Sequence, residues 1–389
     1  MVQLIEAFQS KDWEISFGTT SSKNQNSIDL TSLGIKEYQL ELNSSSFDDL
    51  ILEIRPSIVL FDRFMIEEQF GWRVAELLPS TLRILDTEDL HSLRKIRQEC
   101  LKQEIEFSSS LFLDSEIAKR EIASIYRCDL ALMISSFEIK LLKEIFKVPD
   151  SLLHYVPFFL DPCDESQRTN WLNFELRTDF VSIGNFLHPP NLDATLQLKT
   201  VIWPKIRKKL PKAQLHIYGA YPSQQILQLH NLKEGFIVHG FIENADEVIA
   251  KAKVLLAPLR FGAGLKGKLI QAMQNGTPSV TTSIGAEAMN GDFSWPGFIE
   301  DDLDSFSEKA VRLYNRKEDW ETAQRNGVQI INELYDRKWH QKILIVRITK
   351  LIENLESHRS QNFIGQMLQH HTMKSYKYLS KWIEEKNKD

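Results

Sequence analysis

Short apolar segments alternate with helical patterns along most of this chain, and this alternation is the feature that most limits its fold. In the first 160 residues, IVLF at 58–61 and TLRILD at 81–86 have the composition of buried strands, and helical spacing surrounds them. Two-residue hairpin signals are few. Strands joined through helices pair in parallel, so the pattern predicts an α/β protein whose sheet is covered by helices on both faces.

A polar segment at 161–178, DPCDESQRTNWLNFELRT, interrupts the alternation, which then restarts with DFVSIG and AQLHIYG. We therefore expect two doubly wound, Rossmann-like modules. The expected boundaries are a first domain at 1–160, a linker at 161–178, a second domain at 179–350 and a helical segment at 351–389.

The chain ends with SYKYLSKWIEEKNKD, which has aromatic residues and lysines at helical spacing. The favoured interpretation is an amphipathic helix that packs on the body of the protein through Tyr376, Leu379 and Ile383. A contact of this helix with nucleic acid or with a membrane is the alternative.

Composition limits the class of protein and its partners. The hydrophobic fraction of 42% and the charged fraction of 26% are typical of a soluble globular protein, and the net charge of −6 disfavours a surface that coats nucleic acid, although a local basic patch is compatible with it. Cys100, Cys128 and Cys163 are widely spaced and show neither a disulfide framework nor zinc-ligand spacing. We expect a cytoplasmic protein with no membrane span, since no apolar run approaches the length that a bilayer requires.

The segment RFGAGLKGKLIQAMQNGTPSVTT at 260–282 places cations and glycines where a helix is expected to begin, with no acid nearby in the sequence. Lysines at a helix amino terminus face the positive end of the dipole, so a bound anion would account for Lys266 and Lys268. Gly262 and Gly264 would let a phosphate approach the backbone amides. The alternative is that the lysines extend into solvent and the glycines only permit close packing. The position after the strand VLLAPL favours the ligand, because open parallel sheets bind ligands at the carboxyl ends of their strands.

This segment, extended to 257–289, resembles the sugar-nucleotide motif of family 4 glycosyltransferases with the GT-B fold, in the branch that carries a GAGxKGK loop. FVSIGNFLHPPN at 180–191 and IVHGFIENADEVIAKAKVLLAPL at 237–259 are similar to the same branch. The resemblance covers about residues 178–290 and is looser before 160, where LDTEDLHSLR supports it.

The resemblance implies two Rossmann-like domains that face a central cleft, with 351–389 returning to the first domain. It also implies retaining transfer of a sugar from a UDP- or GDP-linked donor to an unidentified acceptor. Neither a metal nor another cofactor is expected, and the nucleotide sugar is a co-substrate.

Site residues follow from the resemblance position by position. Lys266 and Arg260 would neutralise the leaving diphosphate, and His91 would contact the donor sugar or the acceptor. The remaining donor-binding positions, which border the phosphates or the sugar, would be Gly184, Asn185, Gly262, Gly264, Lys268, Gln271, Gly285, Ala286 and Glu287.

The chain departs from the family pattern at several positions. Ala263 and Gln271 stand where many members have two glutamates, and the loss of the second acid predicts weaker donor binding. Asn185 and Pro190 replace a usual Arg and Lys. The chain also begins in a helix where the family begins with a strand, so the first strand is apparently missing. Either the sequence is read from an internal start, which we favour, or the strand is absent and the sheet lacks its usual central member. These departures keep open a binding or scaffold subunit without turnover, and a GT-B epimerase is a third possibility.

Two polar segments that follow strands are candidates for acceptor recognition, at 61–73 and at 85–97. The alternative for 61–73 is a surface helix with Phe70 and Trp72 packed inward. The alternative for 85–97 is a helix start that Asp86 or Thr87 caps, with the remaining side chains in solvent. The spacing of Asp86, Glu88 and His91 is also compatible with a metal, although we favour a role in lining the cleft. The acceptor-side candidates are Asp62, Arg63, Glu67, Glu68, Asp86, Glu88, Asp89 and Arg94.

Overall fold

A computed structural model describes residues 1–23 and 27–387 of the protein, without the side chains of 371–373. The contacts within the chain divide it into two units. The first unit comprises residues 1–92, 109–159 and 338–389, and the second comprises residues 93–108 and 160–337.

This division differs from the expected boundaries in three places. Residues 161–178 make their contacts within the second unit, so they are not a free linker. Residues 338–350 group with the first unit, because the helix that contains them supplies core side chains there. Residues 93–108, which were expected in the first domain, group with the second.

Twelve strands lie in the described part of the chain, and every pair of strands is parallel, as predicted. They are β1 (Ser16–Thr19), β2 (Lys36–Gln39), β3 (Ile58–Asp62), β4 (Leu82–Asp86), β5 (Leu130–Met133), β6 (Leu153–Tyr155), β7 (Thr178–Ile183), β8 (Leu215–Tyr218), β9 (Phe236–Gly240), β10 (Ala252–Ala257), β11 (Ser279–Thr281) and β12 (Gly297–Ile299).

The α-helices fill most of the gaps between strands. They are α1 (Val2–Gln9), α2 (Ser46–Ile54), α3 (Phe64–Leu77), α4 (His91–Gln103), α5 (Ser109–Asp114), α6 (Glu116–Arg127), α7 (Ser136–Glu144), α8 (Glu165–Thr169), α9 (Pro189–Gln197), α10 (Trp203–Lys209), α11 (Gln224–Leu227), α12 (Ala245–Lys251), α13 (Gly267–Gln274), α14 (Ser283–Ala286), α15 (Leu303–Asn315), α16 (Lys317–Leu334), α17 (Arg337–Glu353), α18 (Leu355–Gln361) and α19 (Phe363–Lys386).

The first unit contains two sheets where the sequence predicted one. Strands β1 and β2 form a two-stranded sheet, and the other four strands form a sheet in the order β3-β4-β5-β6. The core of the larger sheet joins Ile84 of β4 and Leu132 of β5 to Leu4 of α1 and Leu344 of α17. Helices from both ends of the described chain therefore cover this sheet.

The second unit is a single parallel sheet in the order β12-β11-β10-β7-β8-β9. Phe180 of β7 and Trp203 of α10 lie in its core, and the indole nitrogen of the buried Trp320 donates to the carbonyl oxygen of Lys253 at 2.8 Å. The order places β10 between β11 and β7. The loops that follow these three strands consequently leave the same edge of the sheet.

The last helices pack on the first unit, which confirms the expected return of the carboxyl-terminal segment. Arg359 of α18 donates through Nε and Nη2 to the two carboxylate oxygens of Asp129, at 2.7 and 2.8 Å, and Nη2 also donates to the carbonyl oxygen of Thr81 at 2.8 Å. Helix α19 lies against α3 and α6. Tyr376 and Ile383 are half-buried as expected, but Leu379 is 54% exposed, so its predicted packing on the body is wrong.

Replacing Arg359 with Gln should destabilise the first unit. The carboxylate of Asp129 is only 3% exposed, and without Arg359 it would keep only the backbone N–H of Arg83 at 2.8 Å and the Arg83 guanidinium at 3.8 Å as the partners described for it. We expect a loss of about 2 to 3 kcal/mol in the free energy of unfolding, measured by urea denaturation. Arg312→Gln is the matched control, since the Arg312–Asp319 pair is more exposed and should contribute less than about 1 kcal/mol. Equal losses in the two variants would contradict the prediction.

Candidate functional site

The loop between β10 and α13 holds its lysine inside the protein. Gly264 has a φ of 63°, a left-handed conformation that favours glycine, and its carbonyl oxygen accepts a hydrogen bond from Lys266 Nζ at 2.7 Å. Lys266 is 8% exposed and directly precedes the first turn of α13. The alternative in which this lysine extends into solvent is therefore wrong.

Lys268 connects α13 to the loop that follows β7. Its Nζ donates to Asn191 Oδ1 at 2.7 Å, and Asn191 Nδ2 donates to the carbonyl oxygen of Asn185 at 2.9 Å. A Cβ on Gly184 would lie 2.5 Å from the side chain of Asn191, so only glycine fits there. Lys268 is half-buried as a residue, and desolvation of its ammonium group lowers its pKa to about 8.

His188 lies close enough to three cationic side chains to be affected by their charge. Burial lowers the pKa of its imidazole to about 4, and positive charge on Arg94, Lys268 and Lys266 lowers it further in that order of effect. The imidazole is therefore neutral near pH 7. We name the three cationic residues, together with this neutral histidine, the cation cluster: Arg94, His188, Lys266 and Lys268.

Arg94 was expected on the acceptor side of the first domain, and this placement is wrong. It lies in the part of α4 that belongs to the second unit, where its charge acts on His188. Sequence reasoning read 85–97 as one loop lining a cleft, whereas residues from 91 onward form a helix.

Arg97, one helical turn after Arg94, was missed by the sequence analysis. It forms a bidentate ion pair with Glu287, with Nη1 to Oε1 at 2.9 Å and Nη2 to Oε2 at 2.7 Å. Nη1 also donates to the carbonyl oxygen of Gly262 at 2.8 Å. Both side chains of the pair are largely buried, so Arg97 fixes the position of Glu287 and of the glycine loop. The spacing of Arg94 and Arg97 on one face of α4 was the available signal.

Arg260 has an acidic partner that the local sequence did not reveal. Its guanidinium forms a two-point ion pair with Asp193 of α9, with Nε to Oδ2 at 2.9 Å, and this hydrogen bond raises the pKa of Arg260. No acid lies near 260–268 in the sequence, but the fold brings Asp193 to Arg260. Asp193 therefore balances the charge of Arg260.

Gly285 and Ala286 lie in α14 and have packing roles. A Cβ on Gly285 would lie 1.9 Å from Thr281 Oγ1, and its backbone N–H donates to Thr282 Oγ1 at 3.1 Å. Ala286 is 4% exposed. Gln271 is half-buried on α13, and its backbone carbonyl oxygen accepts a hydrogen bond from Asn275 Nδ2 at 2.9 Å.

His91 belongs to the first unit, and a buried acid holds the start of its helix. Glu121 Oε1 accepts from the backbone N–H of His91 at 2.9 Å, and Oε2 accepts from that of Ser92 at 3.0 Å. The alternative in which Asp86 or Thr87 caps this helix is wrong, because the capping carboxylate comes from α6. Burial raises the pKa of Glu121 to about 7.

The imidazole of His91 lies close to an acidic neighbour. His91 Nε2 is 3.3 Å from Asp89 Oδ1. Asp86, the last residue of β4, is buried, and desolvation raises its pKa to about 6. Glu88 is more exposed, and its carboxylate lies 3.9 Å from the amino group of Met1.

Glu67 and Glu68 serve the packing of α3 and not an open surface. Glu67 pairs with Arg127 and accepts from Ser124 Oγ at 2.8 Å. Glu68 accepts from Arg120 Nε at 3.0 Å and from the Tyr376 hydroxyl at 3.2 Å. Both carboxylates are at most 5% exposed, so their assignment to acceptor recognition is wrong.

Asp62 and Arg63 lie between β3 and α3. Their side chains pair at 3.0 Å, and both are exposed. Arg63 has a φ of 71°, an unusual conformation for a residue with a side chain and one that occurs more often at functional sites. These two positions therefore stay candidates for contact with an acceptor.

Metal ligands and membrane spans were searched across residues 1–23 and 27–387. No group of three or more His, Cys, Asp or Glu side chains in this part of the chain has an arrangement that could hold a metal ion. The helices described there are all too short or too polar to cross a bilayer.

Part of the second unit matches a family of known proteins. Residues 177–316 match the family model described as glycosyl transferases group 1. An uncharacterized 44.6 kDa protein from the cps region of Klebsiella pneumoniae is 23% identical over 199 residues, which are 46% of this chain and 51% of that protein. The chain thus spans about half the length of this curated relative.

Solved structures resemble the chain over nearly its whole length. Anabaena Alr3699/HepE, in complex with UDP and glucose, superposes with a TM-score of 0.67 over 90% of this chain and 95% of its own, at 11% identity. Sucrose-phosphate synthase from Thermosynechococcus elongatus gives a TM-score of 0.65 over 91% of this chain and 92% of its own, at 14% identity. These likenesses and the parallel sheets confirm the predicted GT-B fold class.

The ammonium group of Lys268 should titrate near pH 8, more than two units below an ordinary lysine. Protein labelled with ¹³C-lysine reports this through the pH dependence of the Cε chemical shifts. Lys268→Gln should remove the signal that titrates near pH 8 and leave the others in place, which assigns it. A Lys268 signal that titrates above pH 10 would show that the group is well solvated, contrary to the structure.

Proposed function

We propose that the protein is a retaining glycosyltransferase of the GAGxKGK branch, which moves a sugar from a UDP- or GDP-linked donor to an unidentified acceptor. One observation carries the proposal: the cation cluster lies at the carboxyl edge of the second sheet, within or beside the segment that matches the glycosyl transferases group 1 family model. Concentrated positive charge beside a helix amino terminus suits a diphosphate.

The chemistry that we propose is stabilisation of a leaving group. When the bond between the sugar and the diphosphate breaks, negative charge develops on the phosphate oxygens. Lys266 and Lys268 would lie beside that charge, held by hydrogen bonds before the donor arrives, so little reorganisation is needed. The acceptor that holds Lys268 is the neutral amide oxygen of Asn191.

Other residues would position the donor. Arg94 would contribute a further charge to the diphosphate, and Gly184 and Asn185 would border it with their backbone. Arg97 would act indirectly, because its ion pair orients Glu287 and its bond to the Gly262 carbonyl fixes the loop. Arg260 is proposed as an auxiliary charge, since Asp193 already partners it.

UDP is a reasonable first nucleotide to test because Alr3699/HepE was solved with UDP and glucose. The proposed reaction proceeds without a resident metal or other cofactor. Action in the cytoplasm also stays a proposal, consistent with free thiols at Cys100, Cys128 and Cys163.

A second candidate is a sugar-nucleotide-binding or scaffold subunit without turnover. The observation that favours it is Gln271, an amide where relatives of this branch carry an acid, together with Ala263 at the other acidic position. An amide accepts weaker hydrogen bonds from hydroxyl groups than a carboxylate does. Release of UDP from a panel of UDP-sugars separates the two candidates, since a binding subunit would bind the nucleotide and release none catalytically.

Lys266→Ala should weaken UDP binding by at least tenfold, because it removes a charge-assisted contact worth about 1.5 to 3 kcal/mol. Isothermal titration calorimetry measures the dissociation constant. Lys199→Ala is the matched control, since Lys199 pairs with Glu234 on a surface outside the cluster. Equal UDP affinity in the wild type and the Lys266 variant, with both proteins folded, would contradict the donor-site assignment.

UDP binding should weaken as the pH rises above 8. A bound diphosphate favours the charged form of Lys268 and raises its pKa from about 8, so binding above that pH takes up a proton. The affinity should fall by up to tenfold per pH unit between pH 8 and 9.5, measured by calorimetry. Lys268→Arg keeps its charge throughout this range and should give a flat profile. A wild-type affinity that is constant from pH 7 to 9.5 would contradict a contact with Lys268.

A further inference from the structure

Helix α19 exposes apolar side chains in two groups, at 363–367 and 378–382, on the side opposite α3 and α6. Six of its large hydrophobic side chains are between 45% and 72% exposed, well beyond the isolated cases that soluble proteins normally show. At about 100° per residue they span an arc of about 160°. These residues, which we name the outer face of α19, are Phe363, Ile364, Met367, Tyr378, Leu379 and Trp382.

The opposite side of α19 is the one that holds it in place. Ser380 is buried and its hydroxyl accepts from Arg73 Nη2 at 3.2 Å, while Tyr376 donates to Glu68. Lys377 pairs with Glu76 of α3. The outer face is therefore not needed to attach the helix to the protein.

Charge is distributed unevenly around the same helix. Lys374, Lys381 and Lys386 are exposed on the side of the outer face. Glu384 is turned inward, where it accepts from the backbone N–H of Ser45 at 2.8 Å and lies 3.8 Å from Arg73. Glu385 is the one exposed acid among the described residues of α19. The outer side is thus locally basic on a chain whose net charge is −6.

The apolar and basic side chains together indicate what could bind the outer face of α19. Two copies of the outer face would bring their lysines together, which opposes self-association. An anionic bilayer matches both properties, because apolar side chains enter the boundary of the acyl region while lysines face lipid phosphates. Trp382 and Tyr378 have the amphipathic rings that favour the headgroup level.

We infer that the outer face of α19 binds the surface of anionic lipid bilayers, with the helix lying in the plane of the interface. The inference rests on exposure and charge in the first unit and does not depend on the proposed transferase activity. It applies to a helix that lies on a membrane and does not cross it.

Flotation of the full chain with vesicles tests this inference. Vesicles of phosphatidylcholine and phosphatidylglycerol at 3:1 should bind the protein at least tenfold more tightly than phosphatidylcholine alone, and added salt should weaken binding. Two double variants should each lower the affinity for anionic vesicles at least tenfold: Phe363→Ser with Trp382→Ser, and Lys374→Glu with Lys381→Glu.

A matched control removes exposed apolar side chains elsewhere. Leu232 and Phe241 of the second unit are 70% and 58% exposed, and the double variant Leu232→Ser with Phe241→Ser should bind vesicles like the wild type. All variants should keep the wild-type melting temperature and UDP affinity, because the substituted side chains lie on the surface.

Three results would overturn the inference. One is equal binding to neutral and anionic vesicles, and another is no binding to either at low salt. The third is a dimer in analytical ultracentrifugation that the Phe363 and Trp382 substitutions dissociate, which would assign the outer face to a second copy of the chain.

Discussion

The gathering of cationic side chains at the carboxyl edge of the second sheet is the constraint on which the proposed site depends. Lys266 and Lys268 are held by neutral oxygens of Gly264 and Asn191, and His188 stays neutral beside them. Desolvation lowers the pKa of Lys268 to about 8, so holding its ammonium group in the charged form costs free energy. Arg260, a few residues away, is instead paired with the carboxylate of Asp193.

The local sequence predicted the strand, loop and helix of this site better than the residues with which its side chains pair. The strand before residue 258, the glycine loop and the helix at 267–274 follow from composition and spacing, and the structure has all three. The partners come from distant segments of the chain. Asp193 is 67 residues from Arg260, and Arg97 is 190 residues from Glu287. Arg94 likewise acts on His188 from a separate helix. A single sequence carries no signal for such pairings, because tertiary packing creates them.

In the first unit, the sequence analysis assigned ligand binding to acids that serve packing. Glu67 and Glu68 follow a strand in a segment crowded with charge, which is typical of ligand-binding loops. Their partners Arg127 and Arg120 come from α6, so the acids join two helices instead of facing a ligand. Glu121 likewise caps a helix from a neighbouring one. Buried carboxylates need several donors each, and the sequence cannot show whether those donors belong to the protein or to a substrate.

Gln271 changes the balance of the proposed donor site. With an amide at this position, the acids near the glycine loop are Glu287 and Asp193, and each is already paired with an arginine. Donor binding would then depend on the diphosphate, whose recognition by charge is insensitive to the base or the sugar. Discrimination requires hydrogen bonds that a wrong substrate leaves unpaired, and a neutral amide supplies weaker ones to ribose hydroxyls. The arrangement therefore favours a site that recognises the phosphates strongly and leaves selectivity to contacts with the sugar and the acceptor.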